Sequence, residues 1–487
     1  MKKRLSILLG LSTALLAQVS LAQYQVIPEP ANIKLSQSTT KKLNIIQEKK
    51  NAQLGPEAYK LTLTPKGSII EYSTPVGRSF AIVTLEQLSD QLKTSPDGIP
   101  TSVISDQPTL PWRGMMIDVA RHYMPMKDIK TLVDTMHFYK LNKLHIHLTD
   151  DQGWRLPIPG YPKLKTISSK REEMEGNKTP SEGMYTKEEL KALVKYCADR
   201  GIEVIPEIDV PGHNQALAAA YPEFFCSPEP GLKVRTTAGV SKDLLCPQKT
   251  EGIKFMGAVF DELKDIFPSK IVHLGGDEAP TDKWQTCPLC KEARAKKNQK
   301  DCHDQMRDFF ETMTQMLVKR GKEPQFWYED NASIYKKGQT VFTWRMGKTP
   351  STIKHTHDAG LKLILAPGEH CYFDYPQLPQ HNNRGWMGRI TLEQAYNLDP
   401  TYQLPKDQND HIVGVHCTMW TEYLPTMDQV LYRAYPRAMA LAEKGWTPKE
   451  SWSWDKFQQK VQAHKPSFEK RFNHSLERTP DNEKPFK

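Results

Sequence analysis

From Trp112 onward, short apolar runs alternate with stretches in which apolar residues recur at helical spacing. Apolar runs bounded by turn residues predict buried strands. They fall at residues 114–118, 143–149, 203–209, 271–276, 324–329, 341–344, 361–366 and 413–420. The intervening periodicity predicts helices over 127–139, 186–200, 252–266 and 303–320. In the last of these, Met306, Phe309, Phe310, Met313 and Leu317 share one face, which reads as core packing. Eight strand–loop–helix units over about 330 residues predict an α/β fold, a (β/α)8 TIM barrel with long loops, here assigned to residues 106–446.

The chain before the barrel has another rhythm. Residues 23–105 carry strand-like runs at Leu61-Thr62-Leu63 and Ser68 to Tyr72, then a helical pattern over 77–92 with Phe80, Val83, Leu85 and Leu88. These predict a small α+β domain. The proline-flanked segment 99–111 reads as its boundary with the barrel. The polar tail, 447–487, is expected to be helical.

Composition sharpens the setting. Lys2, Lys3 and Arg4 precede an apolar run over 5–21 that ends in Ser20-Leu21-Ala22, the layout of a secretory signal peptide over residues 1–22. Without those three cations, Lys plus Arg falls from 66 to 63 against 57 acidic residues, a net +6. No dense basic block accompanies this charge, so no nucleic-acid partner is expected. No later run is long enough to span a bilayer, so an exported periplasmic or secreted protein without an integral membrane segment is expected. In an oxidising compartment the eight cysteines are expected to form disulfides, of open pairing, that tie down surface loops. Cys287-Pro-Leu-Cys290 with Cys302 lacks a fourth ligand at zinc-finger spacing, so neither a metal nor any other cofactor is assigned.

Polar groups and tryptophans gather at the strand ends. The second strand closes on His145, His147, Asp150 and Asp151, the third on Glu207, Asp209 and His213, and the fourth on Asp277-Glu278. The fifth ends Trp327-Tyr328-Glu329-Asp330, and the sixth at Trp344-Arg345. The seventh leads to Tyr372 and Asp374, and the eighth ends at Trp420 and Glu422. In a barrel that rim carries the active site. Aromatic rings beside carboxylates suit a sugar, whose apolar faces stack while its hydroxyls take charged hydrogen bonds.

Four stretches carry a resemblance. Arg113-Gly-Met-Met-Ile-Asp118-Val-Ala-Arg121-His-Tyr, Asn142 to Trp154, His-Leu-Gly-Gly-Asp277-Glu278 and Met-Trp420-Thr-Glu422-Tyr together resemble glycoside hydrolase family 20. The family comprises exo-acting β-N-acetylhexosaminidases, so the resemblance implies an oligosaccharide or glycan substrate ending in N-acetylglucosamine or N-acetylgalactosamine. Adjacent residues on a strand point to opposite faces, so Asp277 and Glu278 are expected to fit poorly as a pair bracketing a sugar. The family instead uses the substrate's 2-acetamido oxygen as nucleophile. By resemblance, Glu278 is the general acid and later base, and Asp277 orients the acetamido N–H and stabilises the oxazolinium cation. Arg121 grips ring hydroxyls, while Trp327, Trp344 and Trp420 wall the acetamido methyl. Tyr372 hydrogen-bonds the acetamide oxygen, Asp374 and Glu422 contact outer hydroxyls, and Asp150, Asp209 and His213 position the acid. His273, on the strand itself, reads as a core or supporting histidine.

Two other readings differ in chemistry. His145 and His147 face one side of a strand and, with His213, His273 and Asp277, could serve a metal-dependent amidohydrolase barrel. An exported aromatic-lined barrel could also bind glycans without cutting them, against which the intact Asp277-Glu278 pair argues.

Overall fold

The computed structural model describes residues 24–175, 178–378 and 387–478, so the expected signal peptide lies outside the described residues. The N-terminal unit is a five-stranded sheet. Its strands in spatial order are Asn32–Thr40, Ile99–Asp106, Tyr59–Thr64, Gly67–Tyr72 and Ile45–Lys50. Helix Pro75–Leu92 covers one face. It begins where the Thr74 side chain accepts the Gly77 N–H and Pro75 fills the first turn, the pairing that helix starts favour. Phe80, Ala81, Leu85 and Leu88 then bury against Tyr59, Leu61, Leu63, Ile70 and Ile104.

Segment 99–111, expected as a boundary, contributes a strand from Ile99 to Asp106. Pro100 is tolerated because pairing with Tyr59–Thr64 begins only at Ser102, so no ladder donor is missing on that side. The strands Asn32–Thr40 and Ile45–Lys50 also escaped the sequence pattern. Both are largely exposed and carry no apolar alternation.

The second unit is a closed barrel of eight parallel strands. We number them β1 (Trp112–Asp118), β2 (Lys143–His147), β3 (Glu203–Glu207), β4 (Ile271–His273), β5 (Glu323–Trp327), β6 (Thr340–Phe342), β7 (Lys362–Leu365) and β8 (Ile412–Met419). All eight overlap their expected positions. The helices Met126–Phe138, Lys187–Ala198, Thr250–Ile266 and Cys302–Val318 do likewise. Strand β4 stops three residues before its expected end because Gly275 and Gly276 take φ of +61° and +90°. A Cβ on Gly275 would lie 2.1 Å from the Asp209 carboxyl, so the side chain is excluded by contact as well. The tail contributes helix Trp454–Phe472, whose Phe468 and Phe472 pack on Tyr139, Tyr435 and Phe138. Among the described residues no helix is long and apolar enough to cross a membrane.

One buried carboxylate ties the two units together. Asp106 accepts from Tyr59 Oη, from Lys140 Nζ at 3.0 Å, from Trp446 Nε1 at 2.8 Å and from the Ala31 N–H at 2.8 Å. Lys140 comes from the end of the first barrel helix and has no solvent exposure, so burial pulls its ammonium down while Asp106 holds it up. Removing one partner of such a pair leaves the other charge buried and uncompensated. Asp106→Ala is therefore expected to cost roughly 3–5 kcal/mol, read as a lowered urea midpoint. Adding Lys140→Met should recover part of that loss, and a fully additive pair would contradict the coupling.

Candidate active site

A cavity of about 540 Å³ opens at the C-terminal rim of the barrel. Arg121, His213, Asp277, Glu278, Trp344, Tyr372, Trp420 and Glu422 line it, residues expected from sequence to converge. A cavity of similar size at the opposite end is lined by the first residues of strands, among them Trp112, Lys143, Ile271, Thr340 and Lys362. No comparable meeting of acids and aromatics occurs there.

Backbone conformation delivers the two acids. After His273 the chain leaves the strand, and Glu278 itself takes φ +46°. The expectation that Asp277 and Glu278 face opposite ways is thus corrected: strand alternation has ended, and both line one cavity. They differ in exposure instead. Asp277 is 7% exposed, and its carboxyl is pushed up to about 6 by burial and the Glu278 charge, against the pull of His213. The Glu278 side chain is 40% exposed and open to the cavity. Between them stands His213, whose Nε2 lies 3.8 Å from Asp277 Oδ2 and 3.6 Å from Glu278 Oε2. Against the cost of burial, Asp150, Asp209 and Asp277 hold this imidazole well above its ordinary range. Asp209 accepts the Gly276 N–H at 3.0 Å, fixing the turn that leads to both acids.

Beneath the cavity runs a chain of buried charges. Arg121 Nη2 lies 2.8 Å from Asp150 Oδ2, which is 2.7 Å from His147 Nε2. His147 Nδ1 is in turn 2.7 Å from Glu207 Oε2. An imidazole between two carboxylates donates to both only when protonated, and His147 is accordingly held well above its usual range despite burial. Glu207 also lies 3.0 Å from His145 Nε2 and from His273 Nδ1, and accepts from Trp327 Nε1 at 2.9 Å. Trp327 is buried beneath the cavity lining, its ring centroid 6.1 Å from that of Trp420.

The sugar-contact expectations divide. Arg121 packs its guanidinium 5.0 Å from the Trp420 ring centroid and also pairs with Asp118 at 3.3 Å, so the structural ion pair coexists with a place on the cavity wall. Trp344 donates to Glu329 Oε1 at 3.1 Å, and Tyr372 packs edge-on to Tyr375, which also lines the cavity. Trp327 lies below the wall, and Asp374 is buried at 1% behind it, its carboxyl pushed well up by burial and the Glu422 charge. His145, His147 and His273 do face one another, but around Glu207 inside the barrel and away from the cavity wall.

Two acids named at the strand ends were given no role from sequence. Glu207 has the inward parity of Ile205, which packs inside the barrel, and that parity among histidine-bearing strands was a usable signal. Glu329 lies 2.6 Å from Arg345, yet burial and Asp277 push its carboxyl up to about 8. Its place at the end of β5 marked it as a rim residue, but nothing local marked its partners. The expected disulfides are not seen: none of the eight cysteines is bonded to another, and all are buried rather than set at the surface.

Comparison with known proteins bears on this geometry. The model of the glycosyl hydrolase family 20 catalytic domain matches residues 110–449, and that of the family's domain 2 matches residues 17–107. The chain belongs to glycosyl hydrolase family 20. A β-hexosaminidase of Akkermansia muciniphila is 54% identical over 466 residues, covering 96% of this chain and 94% of that protein. A crystal structure of a β-N-acetylhexosaminidase superposes with a TM-score of 0.94 at 54% identity, covering 95% of this chain and 99% of that one. A family 20 exo-β-N-acetylglucosaminidase from Vibrio harveyi, in complex with N-acetylglucosamine, superposes with a TM-score of 0.83 at 25% identity. It covers 94% of this chain and 78% of that one.

Membership makes the protein a glycoside hydrolase and gives the charge chain a measurable role. Because His213 lowers the Asp277 pKa, His213→Gln should let it rise, so that the carboxylate is lost at higher pH. The acidic limb of kcat/KM is expected to move up by roughly one unit. A pH–rate profile with an unmoved limb would place His213 outside the electrostatics of Asp277.

Proposed function

We propose that the protein removes terminal β-linked N-acetylhexosamine from the non-reducing ends of oligosaccharides or glycoconjugates, with retention and with the substrate's acetamide as nucleophile. The observation that carries this is the unequal exposure of two adjacent acids on one cavity. A protonated Glu278, open to solvent, reaches the glycosidic oxygen and gives it a proton as the bond to the anomeric carbon breaks. The acetamido oxygen attacks that carbon from the other face, held there by Tyr372 of the cavity wall. Buried Asp277 accepts the acetamido N–H and offsets the oxazolinium charge in a site of low dielectric. Glu278, now a carboxylate, takes a proton from water as it opens the ring, and two inversions leave the configuration unchanged.

The walls fit this substrate. Trp344 and Trp420 offer apolar surface to the acetamido methyl, with Trp327 closing the space beneath. Arg121 and Glu422 present a fork and a carboxylate for ring hydroxyls at the cavity's inner end. Family membership supports exo action, on a chain terminus and not a chain interior. N-acetylglucosamine and N-acetylgalactosamine both satisfy these contacts. The basic and apolar residues of 1–22 support export to the periplasm or beyond, where such glycans are met.

Glu278→Gln is expected to lower hydrolysis of 4-nitrophenyl β-N-acetylglucosaminide by about 10²–10⁴-fold, followed as release of 4-nitrophenol. Asp277→Asn should be crippled on acetamido substrates, and an unchanged rate would exclude the acetamide as nucleophile. Since Asp277 acts as its carboxylate, kcat/KM should fall as pH drops through about 6. Folded wild-type protein that leaves this substrate untouched between about pH 4 and 8 would instead support glycan binding alone.

A further inference from the structure

Four cysteines remote in sequence converge beside the active site. Cys226 and Cys246 bracket a segment of the loop after β3, and Cys287 and Cys290 stand at the start of helix Pro288–Lys296 in the loop after β4. Their four Sγ atoms all lie within 4.8 Å of one another, and all four side chains are buried. We propose that these four thiolates bind one structural zinc ion, which fixes the loops carrying His213 and Glu278.

The separations decide between the ways thiols can meet. Cys226 Sγ lies 3.6 Å from Cys290 Sγ, and Cys246 Sγ lies 3.7 Å from the same atom. A disulfide needs about 2.05 Å between its sulfurs, and Cys290 cannot bond to two partners. A tetrahedral zinc with Zn–S bonds of about 2.3 Å sets its sulfurs about 3.8 Å apart. The observed spacing matches the second geometry. The Gln248 N–H points at the Cys246 sulfur, a donor that suits a metal-bound thiolate. Cys287-Pro-Leu-Cys290 supplies two ligands at the C-x-x-C spacing, and the pair missing at finger spacing comes from the neighbouring loop. Cys302, weighed from sequence beside Cys287 and Cys290, does not belong to the set. Four apolar contacts between neutral thiols would also bury these residues, but they do not require all four sulfurs to share one centre.

Position gives the ion its role. Glu278 lies nine residues before Cys287, and His213 lies thirteen before Cys226. The same two loops are joined by an ion pair between Lys283 Nζ and Asp243 Oδ1 at 2.6 Å, and the Leu245 N–H donates to Pro211 O at 3.0 Å. Metal binding at a site absent from the unfolded chain adds its free energy to folding. The ion therefore acts as a post between the loop that holds the positioning histidine and the loop that holds the acid.

The test is metal content of the purified full-length protein, kept free of chelator and measured by inductively coupled plasma mass spectrometry. About one zinc per chain is expected. Cys290→Ser should reduce this at least tenfold, and Cys302→Ser should leave it intact. Should the Cys290 variant fail to fold, wild-type protein stripped with a chelator under reducing conditions gives an independent answer. Cobalt chloride added to it should produce the d–d and thiolate charge-transfer bands of a tetrahedral four-sulfur site, which zinc chloride then erases. Stripping should lower the thermal midpoint, and zinc chloride should restore it. Stoichiometric iron in place of zinc, absence of both zinc uptake and cobalt bands, or an intact mass showing disulfides among these four residues would each overturn the proposal.

Discussion

A protonated imidazole held between two carboxylates is the constraint on which the active site depends. His147 donates to Asp150 on one side and to Glu207 on the other, and neither acid has water to fall back on. Removing any of the three would leave a buried charge unpaired, at a cost comparable to a large part of a domain's stability. Through Asp150 the pairing reaches Arg121 and His213, and through Glu207 it reaches Trp327, His145 and His273. The Arg121 guanidinium, the His213 imidazole between Asp277 and Glu278, and Trp327 are therefore all oriented by one buried array.

What that array leaves free is the short segment after β4. Two glycines and a left-handed glutamate release the chain from strand geometry, and the segment is held from outside by Asp209. Two chemically similar side chains then enter different surroundings a residue apart. Burial raises the Asp277 carboxyl, whereas Glu278 stays open to the cavity; in the proposed reaction the first offsets a developing cation and the second exchanges protons with substrate and water.

The barrel was legible in the sequence because each strand is buried on both faces and so reads as an apolar run between turn signals. Two N-terminal strands were not, since exposed strands carry no such pattern. Rim residues could be found from strand ends, but partners could not: Glu207 and Glu329 gain their meaning only from side chains brought in by other strands. Asp277-Glu278 shows a subtler limit. Their identity was readable, but the alternation rule ceased to apply where the glycines end the strand. With the cysteines, linear spacing revealed one pair, and three-dimensional closure supplied the other.

The joint at Asp106 bears on how such a protein can change over evolutionary time. Its ligands come from the small domain, from the first barrel helix and from Trp446 near the barrel's last turn, so one carboxylate senses both ends of the catalytic unit. A small domain that kept the seam but lacked the Asp106 carboxylate would bury the Lys140 ammonium with nothing to neutralise it. A small domain exchanged for another must therefore bring an acid to this joint, or the seam fails before the chemistry is reached.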